Sequence, residues 1–211
     1  MLKNLLSILC VGIMLSSCQS NQQKLPIIGE REVVEKTVDG QTIVDTIYPA
    51  IPTFQFLNQD SVMITDKFFD NKIYIANFFF THCPSICPTM QRNLLGVYNK
   101  YKNDERIAFL SHSIDFKYDS PEVLKKYATN LGIDNEQWQF VTGTKADIYG
   151  ISSKYLVYTK EDADVPGGYD HSGFLVLIDH DKYIRGTYDG TSPEHVQQLF
   201  KDIDILLHEY R

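Results

Sequence analysis

The sequence has no excess of basic residues, no low-complexity tract and no internal repeat. Its 211 residues carry 20 lysines and arginines against 27 acidic residues, giving a formal net charge of -7. Nucleic-acid binding depends on basic patches, so this balance argues against a nucleic-acid partner. A hydrophobic content of 43% over this length is enough for one packed domain with short appendages.

The sequence also has no apolar run long enough to be a comfortable transmembrane helix. The N-terminal run from Leu5 to Leu15 follows Lys3 and ends at Ser16-Ser17-Cys18, which resembles a bacterial lipoprotein signal. We therefore predict a signal peptide over 1–17, lipidation of Cys18 and a polar tether over 18–25. The alternative is an uncleaved anchor. Either form attaches an extracytoplasmic protein, on the periplasmic side, to a membrane.

Cys10 would leave with this signal, and Cys83 and Cys87 would then be the free thiols of the chain. They follow an apolar, aromatic run that begins at Ile73 and is typical of a strand covered on both faces. Pro88 predicts the start of a regular helix, with 83–87 forming an irregular turn over it. A helix N-terminus lowers thiol pKa values, so we expect accessible thiolates. The Cys-x-x-x-Cys spacing allows either a shared metal ion or a redox-active disulfide.

The rest of the chain predicts one α/β domain over 49–211, preceded by a β-hairpin extension over 26–48. Asp39-Gly40 between alternating branched and polar residues is a hairpin signal. Ser120-Pro121 and Ser192-Pro193 predict helix starts. The order β-α-β-α followed by β-β-α is that of a thioredoxin-like fold with an added N-terminal β-hairpin and an inserted helix.

A third ligand for the cysteines must come from a distant part of the chain. His171 lies in a glycine-containing segment, 166–173, that we expect to be a flexible loop able to carry an imidazole over the cysteines. Asp170 is a candidate for orienting this segment or the site, although a turn-forming role explains it as well. His112, late in a predicted strand, is a reserve candidate. His82 adjoins Cys83, and neighbouring side chains in an extended segment point in opposite directions.

Two thiolates and one imidazole form a soft, low-coordinate ligand set that suits copper as Cu(I) and Cu(II). Zinc is the chemical rival, but structural zinc sites normally have four ligands. An open site with three ligands suits a protein that must release its metal again.

The segment Phe80-Thr81-His82-Cys83-Pro84-Ser85-Ile86-Cys87-Pro88 resembles the signature of the SCO/SenC family of thioredoxin-fold copper chaperones. Asp170-His171-Ser172 resembles the family's pattern around its third copper ligand, and the resemblance extends from about Pro49 to about His208. It implies copper binding by Cys83, Cys87 and His171. It also implies a partner, the copper-accepting subunit of a respiratory oxidase, together with a thiol-disulfide reductant or a copper donor protein.

The resemblance implies a metallochaperone that delivers copper to the binuclear site of cytochrome c oxidase, or reduces the cysteines of that site. Two alternatives stay open: a metal-free thiol-disulfide oxidoreductase or thiol peroxidase that uses Cys83 and Cys87, and a copper or redox sensor. The family loop commonly has proline where this chain has Phe116. The sequence alone assigns no function to the flanking Asp115 and Asp119, since capping and turn formation explain both.

Overall fold

The computed structural model describes residues 24–210. Within them lie eleven strands, four α-helices and a short 3₁₀ helix over Asp66–Phe69. In chain order the strands are β1 Glu32–Val38, β2 Gln41–Ile47, β3 Gln55–Asn58, β4 Met63–Thr65, β5 Ile73–Phe79, β6 Ile107–Ser113, β7 Trp138–Thr142, β8 Thr159–Glu161, β9 Tyr169–His171, β10 Phe174–Ile178 and β11 Ile184–Asp189. The helices are α1 Cys87–Tyr101, α2 Pro121–Asn130, α3 Lys145–Lys154 and α4 Pro193–Glu209.

A seven-stranded mixed sheet forms the centre of the domain, in the order β11-β10-β5-β6-β7-β3-β4. Strands β5, β6 and β7 are parallel, whereas β10 pairs with β5 in the antiparallel sense. Every residue of β5 and of β6 is buried. This explains why the sequence of β5 is apolar on both faces, as a strand inside a covered sheet must be.

Helices cover both faces of this sheet. On one face Tyr98 of α1 packs against Phe109 and Tyr127 of α2 packs against Phe79, while α4 lies beside α1. On the other face Phe69 of the 3₁₀ helix packs against Tyr74 of β5. The result is an α/β core in which the cysteine-bearing helix α1 directly follows the central strand.

Strands β1 and β2 form an antiparallel hairpin of their own, in the segment where the sequence predicts one. Asp39 and Gly40 at its turn have φ angles of 52° and 78°. Positive values at both central residues match the turn type that Asp-Gly favours in two-residue hairpins. The side chains of the hairpin are largely exposed, so it contributes little to the core.

Two parts of the structure bear on the sequence-based expectations about the termini and the histidine segment. Residues 169–171 are strand β9, paired with β8 in a two-stranded ribbon, so the expectation of a flexible loop there was wrong.

Within 24–210 no helix combines the length and apolar character needed to cross a lipid bilayer. The predicted signal peptide and Cys18 lie outside the described residues.

A buried arginine joins the first described residues to the C-terminal helix. The Arg185 guanidinium pairs with the carboxylates of Asp179 and Glu209 at 2.8 and 2.9 Å, and it donates to the backbone oxygens of Leu25 and Pro26. Glu209 also accepts a hydrogen bond from the Leu25 backbone N–H. Arg185 therefore satisfies groups from three separate segments, and we call this group the Arg185 clamp.

Arg185→Ala should lower the free energy of unfolding by about 3–5 kcal/mol, because it leaves the carboxylate of Asp179 buried without its cation. Arg106→Ala is the matched control. Arg106 pairs with Asp104 at the surface, and such pairs contribute about 0–1 kcal/mol. Urea unfolding followed by circular dichroism measures both losses. Equal losses for the two variants would show that the Arg185 clamp does not stabilise the fold.

Candidate metal centre

The two cysteines lie in the turn that joins β5 to α1. The backbone N–H of Cys83 donates to the carbonyl of Phe80, which closes the turn directly after the strand. Helix α1 begins at Cys87, one residue before the predicted start at Pro88. Proline is tolerated there because the first turn of a helix has no internal acceptor for its N–H groups. The two sulfurs are thus held at the N-terminal end of α1.

His171 reaches the cysteines from the β8–β9 ribbon. It pairs with Thr159, and its ring meets the ring of Phe80 at 5.9 Å between centroids. Gly167, in the connection of the ribbon, has a φ of 90°, and a Cβ atom there would lie 2.7 Å from the Phe80 ring. A glycine is therefore required for the ribbon to approach the cysteine segment this closely.

The structure brings Cys83, Cys87 and His171 into one group. Their two sulfurs and one ring nitrogen all lie within 4.8 Å of one another, and Cys87 Sγ is 3.3 Å from His171 Nε2. All three side chains are buried, and the cysteines are free thiols. One ion with bonds of about 2.0–2.3 Å, as zinc has to nitrogen and sulfur, requires donor spacings of this size. The residues therefore fit a single metal ion.

The electrostatics of the two thiols are unequal. The pKa of Cys83 is lowered, mainly by its interaction with the neighbouring Cys87 thiol and also by His171 and by Ser85, whose hydroxyl lies 3.5 Å from Cys83 Sγ. The pKa of Cys87 is raised by its interaction with Cys83 and by its deeper burial. The expectation of two alike thiolates therefore changes: the pKa shifts are opposite in direction, and Cys83 is the thiol that ionises more readily.

A groove of about 380 Å³ opens beside the cysteines, between α1 and α2. Its walls include both cysteines, with Gln91 from α1 and Tyr127 from α2. Cys83 is 8% exposed and Cys87 2% exposed, so Cys83 is the sulfur that an incoming molecule meets first.

The structure does not bring the other predicted residues into this group. Asp170 is exposed, and neighbouring residues of a strand point to opposite faces, so its carboxylate lies away from the His171 ring. Nδ1 of His171 is buried and has no hydrogen-bond partner in the described part of the chain. The orienting contact expected from Asp170 is therefore absent, and Asp170 takes a position in the exposed face of the ribbon. His82 is also exposed, with its ring against Tyr118 at 3.8 Å.

His112, the reserve ligand, is part of the core. Its ring stacks on Phe78 at 4.6 Å and meets Phe56 and Tyr155 edge-on or tilted. Both ring nitrogens are buried and have no hydrogen-bond partner among residues 24–210. Burial among aromatic rings lowers the pKa of His112 to about 3 because the charged imidazolium would lose its hydration.

Sequence reasoning missed the residues that support the site. Asp119 is buried and accepts hydrogen bonds from the backbone N–H and the hydroxyl of Thr81, at 3.0 and 2.5 Å, and from the hydroxyl of Ser113 at 2.6 Å. Burial raises its pKa although these donors oppose the rise. Asp115 accepts a hydrogen bond from the hydroxyl of Tyr169. No local sequence pattern predicts these contacts. The bonds to Thr81 and Tyr169 join residues that are far apart in the chain.

The comparison with protein families gives one match that covers most of the domain. The family model described as SCO1/SenC matches residues 47–208. The chain belongs to the SCO1/SenC family. The match includes the cysteine turn, the segment 115–119 and the histidine ribbon, so every residue of the candidate site lies inside the family domain.

Solved structures of the family have the same fold. A SCO1/SenC family lipoprotein from Bacillus anthracis is 28% identical, with a TM-score of 0.69 over 75% of this chain and 95% of that chain. BsSco, a member of the Sco family of cytochrome c oxidase assembly proteins with an identified disulfide switch, is 26% identical, with a TM-score of 0.62 over 74% of this chain and 92% of that chain. Yeast Sco1 with copper bound has a TM-score of 0.60 at 24% identity, over 74% of this chain and 90% of that chain. The predicted thioredoxin-like fold is confirmed.

The buried, uncharged His112 predicts a specific dependence of stability on pH. Its pKa is lower in the folded state than the ordinary value of 6.5, so the unfolded chain binds an extra proton between about pH 6.5 and pH 3. Stability contributed by the neutral ring is therefore present above this window and is lost as the pH falls, by up to about 1.4 kcal/mol per pH unit. His112→Phe keeps an aromatic ring in the stack. Its free energy of unfolding should fall less steeply than that of wild type as the pH is lowered.

Urea unfolding of wild type and of His112→Phe at several pH values between 7 and 4 measures the difference in slope. His82→Phe, at an exposed ring, is the control and should keep the wild-type slope. A wild-type slope in His112→Phe as well would mean that His112 does not remain neutral in the folded protein.

Proposed function

We propose that this protein is a membrane-anchored, extracytoplasmic copper-binding metallochaperone and thiol-disulfide protein. Its task would be to deliver copper to the binuclear copper site of cytochrome c oxidase, or to reduce the cysteines of that site. The observation that carries the proposal is the group of Cys83, Cys87 and His171, three soft donors within 4.8 Å of one another. The oxidase-assembly role of BsSco, its structural relative, supports the partner.

The chemistry of the donors supports copper as the cargo. Two cysteine sulfurs suit Cu(I), and an added imidazole nitrogen suits Cu(II), which prefers higher coordination numbers. A structural zinc site would normally add a fourth protein ligand. Within 24–210 the cluster contains only these three potential ligands. An incomplete ligand set leaves room for a donor group of the accepting protein, which is what transfer of an ion between two proteins requires.

The unequal thiols also support reduction of a partner disulfide. The Cys83 thiolate would attack one partner sulfur, which forms a mixed disulfide and releases the other partner sulfur as a thiolate. Cys87 would then lose its proton and attack Cys83, so that a Cys83–Cys87 disulfide forms and the partner leaves with both thiols reduced. Two electrons pass from this chain to the partner. The same disulfide would remove both sulfur ligands and release copper.

Attachment to the membrane rests on the N-terminal sequence and on the lipoprotein among the structural relatives. Cys18 would carry the lipid, and residues 18–25 would connect it to the domain. The metal-free oxidoreductase is the second candidate function, because a lowered pKa at Cys83 beside a protonated Cys87 also suits thiol exchange without metal. Copper binding by the reduced protein separates the two candidates.

The reduced protein should bind about one copper ion per chain, and oxidation of Cys83 and Cys87 to a disulfide should abolish binding because the ligands are thiolates. His171→Ala should weaken Cu(II) more than Cu(I), since two sulfurs can hold Cu(I) in near-linear geometry. Competition titrations measure both affinities, and paramagnetic resonance reports the nitrogen coupling of Cu(II). We expect this coupling to be lost or changed in His171→Ala.

His82→Ala is the matched control, because this exposed imidazole adjoins Cys83 but lies outside the ligand group. It should keep the wild-type coupling and affinities. Rapid dithiol turnover by copper-free protein with negligible copper affinity would instead establish the oxidoreductase. Loss of the nitrogen coupling in His82→Ala, with His171→Ala unchanged, would contradict the assigned ligand.

Cys18→Ala should release the protein from the membrane or stall removal of the signal peptide, because the acylated residue is gone. Fractionation of cells expressing each form, with mass spectrometry of the N-terminal peptide, tests this. Cys10→Ala is the control and should be processed normally, since Cys10 leaves with the signal. Normal processing and membrane retention of Cys18→Ala, with no acyl chain on the wild type, would overturn the anchor.

A further inference from the structure

We propose that the segment 115–119 is a brace that holds the histidine ribbon against the cysteine turn, with Asp115 and Tyr169 as positioning residues. The brace rests on the proposed function, since its purpose is to set the spacing of the three ligands. The need for a brace follows from the fold. The β8–β9 ribbon is a separate two-stranded sheet, outside the seven-stranded sheet. Isolated two-stranded hairpins are marginally stable, so side-chain contacts must fix where this one lies.

The brace is itself a compact turn. The backbone N–H of Asp119 donates to the carbonyl of Asp115 at 2.9 Å, and the N–H of Asp115 donates to the Ser113 hydroxyl at the end of β6. The carboxylate of Asp115 also accepts from the N–H groups of Lys117 and Tyr118. The two acidic side chains therefore sit at opposite ends of one hydrogen-bonded turn that is anchored on a buried strand.

One end of the turn holds the cysteine side of the site. Asp119 is 1% exposed, and its carboxylate accepts both the backbone N–H and the hydroxyl of Thr81. Thr81 is two residues before Cys83 in the turn that follows β5. Hydrogen bonds to a buried carboxylate are stronger than bonds between neutral groups, so Thr81 is firmly placed.

The other end holds the histidine side. The Tyr169 hydroxyl donates to Asp115 Oδ1 at 3.1 Å. Tyr169 is two residues before His171 in β9, so the two side chains lie on the same face of the ribbon. Both rings pack on Phe80, at 5.2 and 5.9 Å between centroids. Movement of the Tyr169 ring would therefore carry the His171 ring with it, toward or away from the sulfurs.

A salt bridge between Lys117 and Glu161 links the same turn to strand β8, at 3.1 Å. This pair is exposed and contributes little by itself. It does show that the turn contacts both strands of the ribbon. Ser152 of α3 holds Thr159 of β8 by a hydrogen bond at 2.9 Å, whereas the partly buried Tyr169–Asp115 hydrogen bond is the contact of the turn with the strand that carries His171.

Tyr169→Phe tests the brace with the smallest possible change, because it removes the hydroxyl and keeps the ring on Phe80. We expect Cu(II) affinity to fall by at least about tenfold, as for other groups that orient a metal ligand. The fall for Cu(I) should be smaller, because the two sulfurs are unaffected. Tyr158→Phe is the matched control: it removes an exposed hydroxyl just before β8 that makes no hydrogen bond within the described residues.

Asp115 supplies the second half of the test. Asp115→Asn retains an oxygen that can accept from Tyr169, so it should stay close to wild type. Asp115→Ala removes the bond to Tyr169 and also the bonds from Lys117 and Tyr118, so it should lose at least as much Cu(II) affinity as Tyr169→Phe. Both changes remove the Tyr169–Asp115 bond. Adding Tyr169→Phe to Asp115→Ala should therefore cause no further loss of Cu(II) affinity. A merely structural role would give additive losses and would reduce Cu(I) and Cu(II) affinity equally.

Hydrogen exchange of the metal-free protein gives a readout that does not involve copper. Peptides covering 159–171 should exchange faster in Tyr169→Phe than in wild type or Tyr158→Phe, while peptides from β5 and β6 keep their protection. Equal exchange in Tyr169→Phe and Tyr158→Phe would overturn the brace. If wild-type protein binds no copper, the proposed function fails, and the exchange comparison still decides whether the brace exists.

Discussion

Complete burial of β5 is the constraint on which the site depends. A strand covered on both faces must lie in the middle of the sheet, and here it has parallel β6 on one side and antiparallel β10 on the other. The carboxyl ends of β5 and β6 and the amino end of β10 consequently meet at one edge. The cysteine turn leaves β5 at that edge, segment 115–119 leaves β6 there, and β9 enters β10 there. Strand order therefore brings the segment of His171 to the same edge of the sheet as Cys87, 84 residues away along the chain.

The local surroundings then determine what these donors can do. Phe80 forms an apolar wall against the imidazole, and Cys87 is more deeply buried than Cys83. Burial disfavours two neighbouring thiolates, so in the metal-free protein the pKa of Cys87 is raised while that of Cys83 is lowered. A bound cation would remove this conflict, because its positive charge stabilises both sulfurs as thiolates. Metal binding and disulfide formation each require both sulfurs to lose their protons, so they compete for the same pair of thiols.

The sequence predicted much of this arrangement because the relevant signals are local. Ser120 and Ser192 cap their helices as expected, and Pro88 marks the start of α1 to within one residue. Strand β9 could not be predicted, since three residues are too few to show a period of two. The turn formation expected of Asp115 and Asp119 is present, but their contacts with Tyr169 and Thr81 could not be predicted, because those partners are identified only by tertiary structure.

The difference between the two thiols was also beyond sequence reasoning. Both cysteines lie near the same helix N-terminus, so the expected lowering of thiol pKa applies equally to both. Only their unequal burial and their different neighbours, Ser85 beside Cys83 and His171 beside Cys87, separate the two thiols. For Asp170, closeness in sequence was misleading. Its place beside His171 in the chain indicated a contact, yet pairing of β9 with β8 turns the carboxylate away from the ring.

The Arg185 clamp has a consequence for orientation under the proposed lipid anchor. Ile184 pairs with Ile178, which pairs with Tyr74 near the start of β5, whereas the cysteine turn follows the end of that strand. The clamp on Leu25 is therefore at the opposite end of the sheet from the metal centre. With a lipid on Cys18, the seven residues to Leu25 could span at most about 25 Å. So short a tether would keep the clamped end of the sheet close to the bilayer. The end with the metal centre would then face away from the bilayer, toward partners that extend above the lipid surface.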